Sequence, residues 1–596
     1  MRKRLHGRSW PGHGLGAITL GAGIAYLGFA PAFAQTAPAV RLPQVPQTSP
    51  LQHILPKAPP NLGQALPNFH PLGKEGAIPN ARVPVRSASV IGATAFPAAR
   101  LNAAIGNQVG AAVPLASIEA ARLRLLDLYR DHGYVLTAVS AEINSAGDLR
   151  FIVTEGHIVS IKLSKNVGPV GTLVLKFLDH LTHERPVREK SLEHWLLLTE
   201  EIPGVDVNAV LQPNASAPGA LTLVAEVRHQ PVSGLVTADN RGFKETGPAE
   251  GLGVLDINSL TRFGEQTEFS LFRTSGGTNN FGQASESLFV GSSGLRIGLY
   301  AGAGRPQPGG ILREIGYRGY LEVFGVYATY PVLLWRGESL SAKVSLDGTQ
   351  NLIETASGGG GETETSTDSV RALRAGLNEA FTDDVLGGDR VGLTTASIQF
   401  SKGLPILGAS ANKRLNSGRL DANFDFWKMD VAIDRTQTLF SLWPGATVAL
   451  EGAAGGQFTT DVLPSSEEFY LGGSHIAQGY YSGEVIGDKA LYASAELQLN
   501  TPIDFSLLGR RFDIASQFYT FYDWGETWQN RQLSPFVRPN NHRLASFGGG
   551  VRLRLTGRLE FDIAGVHRMV TQLTPSGSGV PPLSGTAVYW GVLARY

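Results

Sequence analysis

The chain has no cysteine among its 596 residues, so disulfides, Cys-ligated zinc and thiolate-bound iron–sulfur clusters are excluded. It has no net charge either: 51 Lys and Arg offset 51 Asp and Glu, which leaves no basic field to draw in nucleic acid, and no such partner is expected. Beyond the N-terminus it lacks any charge-free apolar run of the roughly 20 residues that a membrane-spanning helix needs. The motifs of site chemistry are missing as well. There is no GxxxxGK[ST] phosphate loop, no HExxH pair and no GxSxG elbow, Gly291-Ser292-Ser293-Gly294 having the wrong spacing. The 13 histidines do not cluster at ligand spacing. No catalytic residue, metal site or cofactor is expected, and the chain does not read as an enzyme.

What is present is glycine, 72 residues of it, and two-residue alternation. Residues 551–563 read Val-Arg-Leu-Arg-Leu-Thr-Gly-Arg-Leu-Glu-Phe-Asp-Ile. Successive side chains of a strand point to opposite faces, so Val551, Leu553, Leu555, Leu559, Phe561 and Ile563 share one face. Arg552, Arg554, Glu560 and Asp562 share the other. An apolar face toward lipid and an ionised face toward a wet lumen make a membrane β-barrel hairpin, with Thr556-Gly557 as its turn. Taken alone, the pattern also fits a soluble sandwich with one solvated face. The alternation recurs at Leu340, Ala342, Val344 and Leu346 against Ser341, Lys343, Ser345 and Asp347, and at Ala495, Leu497 and Leu499 against Glu496 and Gln498. Such segments number about sixteen between Val232 and Tyr596, an even count that suits a barrel. Gly358 to Gly361 with the acidic Ser/Thr stretch after it, and Ala301 to Gly310, read as exposed loops. The final strand sets Val588, Trp590, Val592, Ala594 and Tyr596 on one face, with aromatic rings suited to a bilayer interface.

The N-terminus has Arg2, Lys3 and Arg4, an apolar run from Leu15 to Ala30, and Ala32-Phe33-Ala34 before Gln35. This is an export signal over residues 1–34. It places the barrel in a Gram-negative outer membrane, in contact with lipid, and the segments before the barrel in the periplasm. Residues 35–82 contain ten prolines between Gln35 and Asn80 and read as an extended periplasmic linker. Proline removes a helix hydrogen bond and clashes with the preceding turn, so no helix much over two turns is expected there. Residues 83–156 form a small α/β unit. Ser117 is its candidate helix cap, Ile118, Ala121, Leu125 and Tyr129 recur at helical spacing, and Gly133 ends the helix. Residues 157–230 look like a second copy, with a strand over 157–163, a helix over 191–199 and strands near 205–211 and 221–227.

Four short segments occur in order: Gly133-Tyr134-Val135, Val153-Thr154-Glu155-Gly156, Ile202-Pro203-Gly204-Val205 and Asp239-Asn240-Arg241-Gly242. The set resembles the two-partner secretion transporters, the TpsB proteins of the ShlB/FhaC/HecB haemolysin secretion/activation family in the Omp85 superfamily. The resemblance implies two periplasmic POTRA domains, 83–156 and 157–230, ahead of a sixteen-stranded barrel over 231–596. It also implies a partner, one unfolded protein that the barrel exports (type V secretion), a large β-helical adhesin, haemolysin or similar. Two alternatives are an Omp85-type assembly factor, which usually carries more POTRA units, and a passive porin, which needs no periplasmic protein-binding module. Within the signature, Gly133 and Tyr134 read as core packing at a helix-to-strand corner, and Glu155-Gly156 as a turn.

The family's most diagnostic part is a loop folded into the barrel, here about 461–488. Gly472-Gly473-Ser474-His475-Ile476-Ala477-Gln478-Gly479-Tyr480 occupies its tip, with Gln478 where the family has arginine. Phe521-Tyr522-Asp523-Trp524-Gly525 resembles the wall motif that receives that arginine, so Asp523 and Gly525 are its candidate partners. An arginine–carboxylate pair is bidentate and charge-assisted, whereas Gln478 offers Asp523 only neutral amide hydrogens. The contact is therefore expected to be weak, or another cation to stand near Asp523, with Lys489 and His475 as the nearest candidates. Relatives also plug the pore with an N-terminal helix. The proline spacing leads to the expectation that the plug here is either short and irregular or, the preferred reading, absent.

Overall fold

The alternation over residues 551–563 becomes one hairpin of a closed barrel: Arg552 sits opposite Asp562, Leu553 opposite Phe561 and Arg554 opposite Glu560. The computed structural model describes residues 47–57, 59–63, 80–356, 363–507, 510–530, 541–573 and 581–596. The export signal expected over residues 1–34 lies outside them. Sixteen antiparallel strands run in sequence order around the wall, from Val232–Asp239 to Thr586–Arg595, and range from eight residues to the twenty-one of Thr363–Asp383. The last strand closes on the first through Gly591 opposite Asp239 and Arg595 opposite Leu235. The Asn240 side chain clips the seam by donating to the Val588 carbonyl and accepting from the Trp590 N–H.

Strand parity sorts the side chains. Leu271, Val344, Ile433, Leu497 and Ile563 are exposed on the outer face, while their neighbours Ser270, Ser345, Glu496 and Gln498 are buried inside. Closure pairs backbone with backbone around the whole wall, with five residue pairs at the seam, the condition for strands to cross lipid. Because the ladder is made by backbone, polar segments can join it. The acidic Ser/Thr stretch read as a loop is instead the start of Thr363–Asp383, which pairs with Glu338–Ala356 along its length. Residues 301–304 likewise finish the strand Arg296–Gly304, and the loop after them holds a short helix, Gly310–Glu314.

Two units that share a β-α-α-β-β core order precede the barrel, the first with an added two-stranded pair, Arg82–Val85 with Gly110–Pro114. In the first, strand Ser87–Ile91 pairs parallel with Asp148–Thr154, which pairs antiparallel with Ala138–Ile143. In the second, His157–Leu163, Ala220–His229 and Val205–Pro213 repeat that arrangement. The helix expected around Ile118 spans Leu115–Arg130 after Pro114, so Ser117 lies inside it and donates to Gln108 instead of capping. A helix not foreseen, Val170–Leu178, is apolar nearly all round because it is buried on most sides. One of those sides is the barrel: Phe177 meets Phe289 edge-on at 5.4 Å, and Arg336 in a barrel turn pairs with the nearly buried Glu193 at 2.9 Å. The second unit thus packs on the short barrel turns and marks the periplasmic end.

The expectation for residues 35–82 needs correction in one part. Residues 47–57 and 59–63 thread the barrel lumen. The Gln47 carbonyl accepts from Asn351 on the wall, and at the other end the Leu62 carbonyl accepts from Gly337 in a periplasmic turn. Between them, Leu51 and Ile54 on a single helical turn pack against Leu252, Val254, Phe272, Phe281, Leu321 and Val323. Proline does restrict the helix to one turn, but filling a lumen requires only apolar contacts and wall partners for the backbone.

Candidate functional site

The loop between the strands Ala446–Phe458 and Lys489–Leu507 turns back into the lumen, stiffened by its own ladder of Phe469–Leu471 against Val485–Gly487. Its root is held by buried charge. Arg419 donates to both Asp488 oxygens at 2.6 and 2.8 Å, and Glu467 receives Arg374 at 2.6 Å and Lys428 at 3.1 Å. Charges so buried persist only when paired and hydrogen-bonded, so this root has one favourable arrangement.

The tip is shaped by glycine. Gly472 has φ +116°, and a β-carbon there would collide with the Tyr481 carbonyl; Gly473 follows at φ +123°. Gly479 lies so close to Ser546 and Val566 of the wall that no side chain fits between them. Gly525 leaves room on the wall for Leu471, which packs over it. Tyr480 is fully buried, its hydroxyl 2.7 Å from the Ala545 carbonyl and 2.9 Å from that of Val570.

Asp523 is 1% exposed and faces the tip. It accepts a hydrogen bond at 2.6 Å from the backbone N–H of Gln478, not from its side chain, whose amide makes no hydrogen bond among the described residues. The expectation of an amide contact is corrected accordingly. So is the choice of cation. His475 points away to the Leu55 carbonyl, and Lys489 shows no contact with Asp523. The cations at the tip are Arg241, which donates to the Gln478 carbonyl at 2.6 Å, and Arg568, which donates to the Gly479 carbonyl at 2.7 Å. Arg241 belonged to the motif at the barrel entrance, so the signal was in the sequence; its partner, 237 residues away, was not.

The charged hairpin lies beside this site. Arg552 stacks on Tyr519 at 3.8 Å and bonds Glu496 at 2.9 Å, while Asp562 accepts from the Tyr519 hydroxyl at 2.7 Å and lies 3.8 Å from Arg241. Arg554 and Arg595 both meet Glu560. The loop tip also holds the threaded segment: Ser474 donates to the His53 carbonyl, and His53 meets Tyr470 edge-on.

The signature of the first unit forms a joint. The Gly133 carbonyl accepts from Glu189 at 2.7 Å, the Gly156 carbonyl from Val187 at 3.1 Å, and the Tyr134 hydroxyl from Arg188 at 3.2 Å, so three of the four residues grip the second unit. Glu155 does more than turn the chain. It accepts from Tyr129 and from the N–H groups of Thr94 and Ala95. Burial pushes its carboxyl up, but these bonds outweigh it and hold the group below its ordinary value.

Residues 360–553 match the family model of the haemolysin secretion/activation proteins ShlB/FhaC/HecB, and residues 83–156 match the ShlB-type POTRA domain. The heme/hemopexin transporter protein HuxB of Haemophilus influenzae is 21% identical over 472 residues, 77% of this chain and 78% of that protein. The outer membrane transporter CdiB of Escherichia coli is 23% identical over 424 residues, 69% of this chain and 68% of that protein. In fold, the chain is similar to the solved structure of CdiB from Escherichia coli, with a TM-score of 0.65 at 19% identity over 90% of this chain and 95% of that one. With CdiB from Acinetobacter baumannii the TM-score is 0.58 at 16% identity, with the same coverage. By these matches the chain is similar to the ShlB/FhaC/HecB proteins, and it is an outer-membrane transporter of the two-partner secretion type whose POTRA region lies in the periplasm.

Proposed function

We propose that the barrel exports one unfolded protein, captured first on the periplasmic units and then threaded through the lumen once residues 47–63 and the in-folded loop give way. The observation that carries this reading is the lumen's filling. It is occupied by a single-turn helix and a loop, both held by hydrogen bonds and ion pairs to the wall and neither woven into the barrel sheet. Such contacts can be exchanged one at a time for contacts to a passing chain. Capture proceeds by strand addition, because backbone pairing tolerates varied side chains. Both units offer edge strands, Ala138–Ile143 and Val205–Pro213, on which Ile143 and Val210 are exposed. The cargo is a large β-helical protein of the adhesin or haemolysin kind, which folds outside and so does not return.

The absence of cysteine makes the test clean. A lone cysteine at exposed Ser140 or Val210 in the full chain should crosslink to the exported protein during secretion, and deletion of residues 83–227 should abolish its appearance outside the cell. Unchanged secretion by the deletion variant would reject capture on these units.

A further inference from the structure

We infer that Arg241 is the positioning residue that locks the in-folded loop, and that the wall supplies the charge here, so that the Gln478 side chain is dispensable. Arg241 follows the first barrel strand and is 5% exposed. Its own N–H is fixed by the Asp239 carboxylate at 2.7 Å. From that position it holds both flanks of the loop tip: the guanidinium donates to the Gln478 carbonyl at 2.6 Å, and the Arg241 carbonyl accepts from the Ser482 N–H at 2.8 Å. The guanidinium also lies 4.5 Å from the centre of the Tyr589 ring and 3.8 Å from Asp562. It is thus kept in place by three wall groups, Asp239, Asp562 and Tyr589, on three separate strands, and only the loop contacts can be released without dismantling the wall.

Asp523 meets the same loop tip from the wall. One of its oxygens takes the Gln478 N–H, and the other, Oδ1, is buried beside Ser494 of the neighbouring strand and takes no hydrogen bond from the tip. A buried carboxylate oxygen gains from a charged donor placed against it. The wall therefore has an acceptor that the tip does not use, and the tip has a carbonyl that a wall arginine does use. A tip arginine at position 478 would reach the unused acceptor and could take over when Arg241 is lost.

The test uses the purified full-length chain in planar lipid bilayers, reading channel openings, together with the mobility of a nitroxide on Ser474→Cys, which the cysteine-free background makes unique. Arg241→Gln should raise the time spent open about tenfold or more, the scale of a lost hydrogen bond to a charged group, and should free the label. Gln478→Ala should leave both readouts as in the parent. Gln478→Arg added to Arg241→Gln should restore closure and immobilise the label, a rescue that a general loss of packing would not show. Should Arg241→Gln fail to assemble, Arg241→Lys takes its place, keeping the charge but losing the fork, with a smaller opening and the same rescue. A parent-like Arg241 variant, a Gln478→Ala variant as open as Arg241→Gln, or a double variant that stays open would each overturn the inference. The readouts need no exported partner, so a negative result here is separable from a failure of the export reading.

Discussion

Arg419 and Asp488 form a bidentate ion pair in which both side chains are almost fully buried, at 2.6 and 2.8 Å, and it fastens the root of the in-folded loop to the neighbouring extracellular loop. Glu468 lies 3.2 Å from the same guanidinium, so one arginine balances two carboxylates. Removing the cation takes from the buried Asp488 its bidentate partner, and breaking a buried pair in this way costs about 3–5 kcal/mol. Arg419→Met is therefore expected to release the loop root, seen as new protease cleavage between residues 459 and 488, while the barrel itself keeps its resistance to unfolding in detergent.

At Gly479 the prediction is steric. A methyl group there meets Ser546 and Val566 on the wall, and overpacking of this kind costs about 1–3 kcal/mol. Gly479→Ala should push the tip off the wall and raise channel conductance, and shrinking Val566 to alanine should partly reverse the effect.

Replacing Leu51 and Ile54 together by aspartate sets two charges against Leu252, Val254, Phe272 and Phe281. The threaded segment should leave the lumen, since a buried unpaired carboxylate is far more costly than the contacts it replaces. The expected outcome is a larger and steadier conductance than that of the parent, with unchanged insertion in the membrane.

Glu155 gives the pH prediction. Its carboxyl is held below the ordinary value of 4.5 by the bonds from Thr94, Tyr129 and Ala95, which outweigh the opposing effect of burial. A depressed carboxyl contributes stability that is present above its unfolded pKa and is lost as pH falls through the folded one. The first unit should therefore loosen as pH drops below about 4.5, read as faster amide exchange in Asp148–Thr154 of the full-length chain. Glu155→Gln should lose about 1–3 kcal/mol at neutral pH and show little further change on acidification.

The barrel was legible because alternation is a local property. The hairpin at 551–563 shows its two faces within thirteen residues, but its register, Arg552 opposite Asp562, is set by the turn Thr556–Arg558, one residue longer than the Thr556-Gly557 turn expected. The tandem α/β units were legible in outline for the same reason. The helix Val170–Leu178 escaped because burial on most sides erases the polar face that reveals a helix. Residues 47–63 escaped because proline spacing limits helices and does not locate a chain: whether an extended segment lies in solvent or in a lumen depends on Leu252, Phe272 and Asn351, two to three hundred residues away. The lock on the loop was half visible. Gln478 announced a departure, but the compensating Arg241 belongs to another strand end, and only closure of the barrel brings the two together.

The central claim is that the lumen is the export route and that residues 47–63 must leave it. Ser474 at the loop tip donates to the His53 carbonyl at 3.2 Å, so these two neighbouring positions are the pair at which to trap the threaded segment on the loop by a disulfide, in a chain with no other thiol. The measurement is the amount of exported protein outside cells that carry His53→Cys with Ser474→Cys, before and after a reductant. Export should stop while the disulfide is intact and resume on reduction, with each single variant exporting throughout. Export at the parental rate with the disulfide fully formed would contradict it.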